Sequence, residues 1–324
     1  MAEGVDEGSF AALSTVPAFR LLRDRRVLVG LQLLFVAALL GFLGWAFRDT
    51  WSKAAPRLRD ADPGQLALAG LLLAAYYLLF VFPWLWILRA QGIRVSYGVA
   101  LQAEMASMLA KYIPVGIWTP AARVVWLRKA GGVEETSVVV SSILIEAGVS
   151  AVAGVAVLMV SLLWVEGVDF PLWPLLAFAA VIGALLHPRV FAAVARRLFR
   201  PFGAGEPPTL SFRTLLGLFC FYAGSWLVGG AALLFLVRAV GGDVGFDAIP
   251  FLGGVAAVGA IVAVLSVLAP SGLGVREASM YGLLLAVTSA PVALGATVLN
   301  RLAITIVEAA LLGLGALLWR SRRP

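Results

Sequence analysis

The feature that limits this chain most is the length of its uncharged apolar runs. From Gly64 to Leu88 it reads "GQLALAGLLLAAYYLLFVFPWLWIL", without one charged residue. Wound as a helix at ~1.5 Å per residue, such a run covers the ~30 Å hydrocarbon layer of a bilayer. Backbone N–H and C=O groups find no water there, so only helices or closed barrels satisfy them. Barrel strands alternate apolar and polar residues in ~10-residue segments, whereas these runs are continuous. The fold class that follows is an all-α polytopic membrane protein. Composition agrees: 61% of residues are hydrophobic and 13% charged, against ~25% charged in an average soluble domain.

The runs predict about six full spans, near 27–47, 64–88, 136–163, 171–187, 213–238 and 292–318. Residues 1–26 form a cytoplasmic or interfacial N-terminus, in which "SFAALSTVPAFRLLRDRR" reads as an amphipathic helix on the membrane surface. A first transmembrane half covers 27–187, a connector 188–211, a second half 212–319 and a basic tail 320–324. The net charge of +7 gathers at segment ends, in "RLLRDRR", "RRLFR" and "WRSRRP". There it sets orientation and meets anionic headgroups, so nucleic acid is not the expected partner. The connector carries Arg189, Arg196, Arg197 and Arg200, while the 164–173 loop holds only Glu166 and Asp169. That asymmetry puts both termini and the connector in the cytoplasm. Arg48, Lys53, Arg57 and Arg59 fall on the outer side against this rule, with Asp49, Asp60 and Asp62 beside them.

Two regions break the pattern of plain spans. "GVALQAEMASMLAKYIPVGIWTPAARVVWLRKAGG" (98–132) and a second region over 250–290 each hold a helical piece, a Pro-x-Gly break and another helical piece. The pieces 99–112, 116–130 and 276–290 are too short to cross the membrane, which predicts re-entrant hairpins; 251–269 is long enough to span alone. Each broken pair lies between long helices, and Pro114-Val115-Gly116 matches Pro270-Ser271-Gly272. "SSILIEAGVSAVAGV" likewise matches "ATVLNRLAITIVEAA", setting Glu146 opposite Arg301. One hairpin then opens to the cytoplasm and the other to the outside, an inverted repeat of the kind that builds midplane sites in transporters.

Charge inside a bilayer is costly and marks cavities or partners. The candidates are Glu104, Lys111, Arg123, Glu146, Arg276, Glu277, Arg301 and Glu308. Glu104 and Lys111 share a helix face, as do Arg301 and Glu308. Structural pairing within these sets is as open a reading as function. From Ala248 to Asn300 the only charged residues are Arg276 and Glu277, just after "PSGLG". Gly272 and Gly274 free the backbone to turn, and the next helix begins with unpaired N–H groups beside Arg276, which suits a phosphate. Glu277 in that first turn complements the helix dipole and is positioned to hold Arg276. The competing reading is an interfacial turn whose Arg and Glu reach water. Arg128 and Lys129 read as interface anchors, and Tyr112, Trp118 and Trp126 as an aromatic belt.

Cys220 and His187 stand alone in their residue types, so no disulfide or thiolate metal cluster is expected. His187 reads as a helix-end residue. No P-loop, HExxH or GxSxG occurs, so neither an ATPase, a metal site, a cofactor nor an enzyme is expected.

"KYIPVGIW", "LAPSGLGVREASM" and "LNRLAITIVEAALLGLGAL" resemble the flippase-like transmembrane domain of lysylphosphatidylglycerol synthetases, over residues 20–320. The second-half pattern falls on Pro270, Gly272, Gly274, Arg276, Glu277, Arg301 and Glu308. The first half departs from it at Val115, between Pro114 and Gly116, and at Ala147, after Glu146. The resemblance implies a prokaryotic cell-membrane protein that moves lipid between leaflets, without the lysyl-transferring domain. Together with the charges it predicts a translocase for an anionic phospholipid or isoprenoid-phosphate lipid. Arg276, Arg301, Arg123, Lys111, Gly272 and Gly274 would bind the headgroup, and Glu277, Glu308, Glu146 and Glu104 would balance charge or carry a proton. The alternatives are a non-transporting partner that presents lipid to a separate transferase, and an ion-coupled transporter of a small anion. Oligomeric state is not legible.

Overall fold

The computed structural model describes residues 50–110, 118–163, 172–199, 210–266 and 272–320, with isolated positions elsewhere. Among these no strand occurs, and the chain is an all-α polytopic membrane protein. In chain order the helices are α1 (Pro63–Ala90), α2 (Tyr97–Ala110), α3 (Trp118–Gly131), α4 (Thr136–Ser161), α5 (Leu172–Leu186) and α6 (Pro188–Phe199). After the connector come α7 (Phe212–Ala239), α8 (Ile249–Leu265), α9 (Val275–Leu284) and α10 (Ala290–Arg320). Five helical stretches are long and apolar enough to cross a membrane: α1, α4, α7, Phe246–Leu265 and Ala290–Leu314. The expected span 27–47, the terminal segments 1–26 and 321–324, and most of the 164–171 loop lie outside the described residues.

The starts of the two central helices follow from local chemistry. Asp62 caps α1, accepting from Gly64 N at 2.7 Å and Gln65 N at 3.1 Å, with Pro63 at the first helical position. Ser211 caps α7 by accepting from Thr214 N at 3.2 Å. α1 and α7 form the centre of the bundle and run antiparallel. Asp62 N donates to Ala239 O at 3.0 Å where α1 begins and α7 ends, Tyr76 lies on Gly229, and Trp86 covers Gly217 near the start of α7.

Both broken regions fold back as hairpins. α2 and α3 lie side by side, and Gly131 at the end of α3 meets Val95 and Val99 at the start of α2. Each is 14 residues, ~21 Å of helix, shorter than the hydrocarbon layer. α8 and α9 pair likewise, with Gly272 on Ala263 and Gly259 on Met280. The first hairpin hangs on the C-terminal end of α1 and the second on the C-terminal end of α7. Because α1 and α7 are antiparallel, the hairpins enter from opposite ends of the bundle.

Leaving aside α5 and α6, which have no counterpart in the second half, the helix neighbours are unchanged when the halves are exchanged. α4 packs on α8 as α10 packs on α2, and α7 touches α4 and α10 as α1 touches α10 and α4. The pairs α1–α2 and α7–α8, and α3–α4 and α9–α10, complete the correspondence.

Three sequence expectations change in detail. The segment 171–187 holds a 15-residue helix, and the chain turns by 87° between Leu176–Leu186 and Pro188–Leu198. The connector expected over 188–211 begins with α6, twelve residues in "PRVFAAVARRLF". Ala195 of α6 is buried and Phe191 packs beside it, while Arg189, Arg196 and Arg197 and the apolar Val190, Val194 and Leu198 remain exposed. The piece expected over 276–290 ends at Leu284, where turn hydrogen bonds from Leu285, Ala286 and Val287 replace the helix before α10 starts at Ala290.

Candidate functional site

Two charged clusters occupy the middle of the bundle, one in each half. In the first, the Arg123 guanidinium on α3 reaches Glu146 on α4 and Glu104 on α2. Arg123 is 7% exposed and Glu146 4%. Trp84 of α1, fully buried, lies under the guanidinium with 4.7 Å from its centroid to the Arg123 Cζ, a cation–π contact. The Trp84 indole N–H donates to Ser142 Oγ at 3.0 Å, and Ser142 donates to Val139 O at 2.7 Å. The ring is thereby fixed to α4. Arg123 suits this place because a planar guanidinium can meet two carboxylates and an aromatic face at once, which an ammonium cannot.

The second cluster lies between α9 and α10, with α1 beside it. Gly272 and Gly274 have φ of +66° and +83°, a left-handed backbone that favours glycine. They bring the chain round onto α9. Gly274 N donates to Glu277 Oε2 at 2.6 Å, so Glu277 caps its own helix. Its other oxygen faces Arg301 of α10 at 3.6 Å, an ion-pair separation beyond hydrogen-bond length. Asn300 points its amide at the Met280 sulfur, 3.6 Å away. Glu308 accepts from the Tyr77 hydroxyl of α1 at 2.5 Å.

Arg276 differs from Arg123 and Arg301. No described carboxylate forms an ion pair with it, and its Nε is buried without a hydrogen-bond partner. It lies against Gly259 of α8 and acts electrostatically on Tyr76 and Tyr77. The expectation that Glu277 holds Arg276 is therefore corrected. Glu277 is taken by the Gly274 N–H and by Arg301, which leaves the neighbouring guanidinium unneutralised.

The sequence-derived candidates thus fall into two groups: Glu104, Arg123 and Glu146 in one, and Gly272, Gly274, Arg276, Glu277, Arg301 and Glu308 in the other. Lys111 and Pro270 lie outside the described residues. Glu104, which shares a helix face with Lys111 by spacing, pairs with Arg123 across the hairpin. Trp126, expected in an interfacial belt, packs against the core around Trp84 and Leu88.

Sequence reasoning missed the aromatic partners. Tyr76 lies against Trp226 and Phe80, Phe80 against Tyr222, and Tyr76 is within electrostatic reach of Glu104, Glu146 and Arg276. Tyr76 therefore stands between the clusters, with Tyr222 on the side of the first. Two hydroxyls in the middle of an apolar run, at Tyr76 and Tyr77, are the signal that pointed to them. Two open pockets flank the mouth of the first hairpin. One, about 360 Å³, is lined by Arg128, Gly132 and Glu134; the other, about 300 Å³, runs from Gln91 to Arg94 and Gly131 to Val138.

The second-half motif, with its positive-φ glycines, free arginine and cross-helix ion pair, is also where comparison with known proteins becomes informative. The family model described as the lysylphosphatidylglycerol synthase TM region matches residues 28–313. The chain belongs to this family. No curated protein matches it. The match runs through α1 to α9 and most of α10, so both hairpins and both clusters lie inside the family region.

Proposed function

We propose that this protein translocates a lipid between the leaflets of a prokaryotic cell membrane, with both termini in the cytoplasm and without an ATPase of its own. The substrate is a lipid with an anionic phosphate headgroup, a phospholipid or an isoprenoid phosphate. The observation that carries this reading is Arg276, a guanidinium without an ion-pair partner among the described residues, in the first turn of a helix that starts inside the bundle. Helix N-terminal N–H groups and an unneutralised cation together favour a phosphate oxygen. Arg301, joined to the same turn through Glu277, supplies the second charge. The antiparallel α1 and α7, the hairpins at opposite ends and the matching helix neighbours support an inverted repeat, the architecture that lets a midplane site face each side in turn. On this reading the chain performs no covalent chemistry, needs no cofactor, and any lipid-modifying transferase is a separate partner.

The test is movement of fluorescent anionic lipid in liposomes containing the purified protein. Arg276→Ala and Arg301→Ala are expected to slow it at least tenfold while the protein still inserts. Variants that move lipid as fast as the wild type would sink the assignment of these arginines. Lipid that co-purifies with the protein but never changes leaflet would favour a presenting partner, and uptake of soluble phosphate would favour an anion transporter.

A further inference from the structure

The first cluster is not electrically balanced. Glu104 and Glu146 approach the single guanidinium of Arg123 from two helices, α2 and α4. Among the described residues, the groups that face Glu146 from the packed elements are Arg123 on α3, Glu104 on α2, Tyr76 on α1 and Tyr222 on α7, and of these only Arg123 is a cation. Glu146 Oε1 and the Tyr222 hydroxyl are both buried without hydrogen-bond partners. Fully ionised, the trio would hold a net charge of −1 where side-chain exposure is 9%, 14% and 5% for Arg123, Glu104 and Glu146. One described cation serves both carboxylates, and a low-dielectric site disfavours the surplus negative charge.

We propose that Glu104 and Glu146 share one exchangeable proton across Arg123, and that this proton is the coupling ion of the transport cycle. Uptake forms one O–H bond on a carboxylate oxygen and brings the trio from −1 to neutral; release reverses it, and no other bond changes. The trio ties α2, α3 and α4 together, so its charge state bears directly on how firmly the first hairpin is held. A neutral trio holds it closed, and a surplus charge draws water in and loosens it. The coupling rests on the translocase reading, whereas the shared proton rests on the trio's geometry alone.

The two parts are tested separately on the full chain reconstituted in liposomes. Infrared difference spectra between about pH 5 and about pH 9 report protonated carboxyl groups through their C=O stretch. The wild type is expected to hold one such group at neutral pH that disappears in Glu104→Gln and equally in Glu146→Gln. Each variant leaves one carboxylate matched to one guanidinium, and both are isosteric changes that relieve charge. Intensity that survives in both variants, or is lost in only one of them, overturns the shared proton.

Lipid movement is then followed with a pH gradient imposed. For one proton per lipid, each pH unit supplies up to about a tenfold bias between leaflets. The bias is expected in the wild type and lost in Glu146→Gln. A wild-type rate that ignores the gradient overturns the coupling. Absence of any lipid movement counts against the translocase reading, while the infrared result decides the proton site on its own.

Discussion

Single residues in this bundle act mainly through the partner they leave behind. Among the described residues Arg123 is the one cation paired with Glu104 and Glu146, and it also covers Trp84. Arg123→Met therefore strands two buried carboxyl groups without their cation, a loss of about 3–5 kcal/mol of the kind seen when one member of a buried ion pair is removed. Thermal unfolding in detergent should show it, with Arg123→Lys recovering only part of the loss, because an ammonium cannot reach two carboxylates and a ring face together. Tyr77→Phe tests the other half. It removes the hydroxyl that donates to Glu308 and should cost about 1.5–3 kcal/mol, the range for a hydrogen bond to a charged group. All these charged residues were legible in the sequence, because a charge inside an apolar run is conspicuous. Their partners were not. Helical spacing relates Glu104 to Lys111 along one face, but the observed pairing runs between helices, and a folded-back hairpin sets that geometry rather than any periodicity.

At the scale of elements, the long spans were legible almost to the residue, since an apolar run fixes where a helix can sit in a bilayer. The expected 64–88, 213–238 and 292–318 became Pro63–Ala90, Phe212–Ala239 and Ala290–Arg320. α6 escaped notice because its alternation of arginine and apolar residues resembles a polar linker until its helical period is counted. The early end of α9 at Leu284 was also hidden, since "LLLAVTSA" looks as helical as the sequence before it. Small residues decide how closely these elements approach. Gly230 of α7 and Gly253 of α8 lie face to face; a Cβ on Gly230 would sit 2.3 Å from the Ile249 carbonyl oxygen, and one on Gly253 2.6 Å from the Trp226 carbonyl oxygen. Close backbone approach at small residues is a main source of helix association in membranes. Backbone cannot swing aside as a side chain can, so Gly230→Ala and Gly253→Ala should each cost about 1–3 kcal/mol. Gly224→Ala, where a Cβ meets nothing within 4 Å, is the control expected to leave unfolding unchanged.

For the molecule as a whole, the decisive property is that its two ends are chemically unlike although its halves correspond. Arg89, Arg94, Arg128 and Lys129 gather at the end where the first hairpin opens, the cytoplasmic end in the proposed orientation. At the other end, where α1 begins and α7 finishes, Asp60, Asp62, Asp243 and Asp247 lie together with Lys53, Arg57, Arg59 and Arg238, so acids offset bases. Arg57, one of the bases that ran against the charge rule, is held there by its bond to the Val240 carbonyl at 3.1 Å, and Arg238 by two bonds to the Val244 carbonyl. Basic side chains tied to backbone carbonyls serve packing, which in the proposed orientation lets them tolerate the outer side. This sidedness can be read directly. In a Cys220→Ser background, Arg94→Cys and Asp243→Cys each place one thiol at an exposed position, one beside each hairpin mouth. A membrane-impermeant maleimide added to intact cells should label Asp243→Cys at once and Arg94→Cys only after the membrane is opened. Equal labelling of both from outside would mean that the hairpins open to the same side. The alternating use of a central lipid site would then lose its structural basis, even with every contact inside the bundle unchanged.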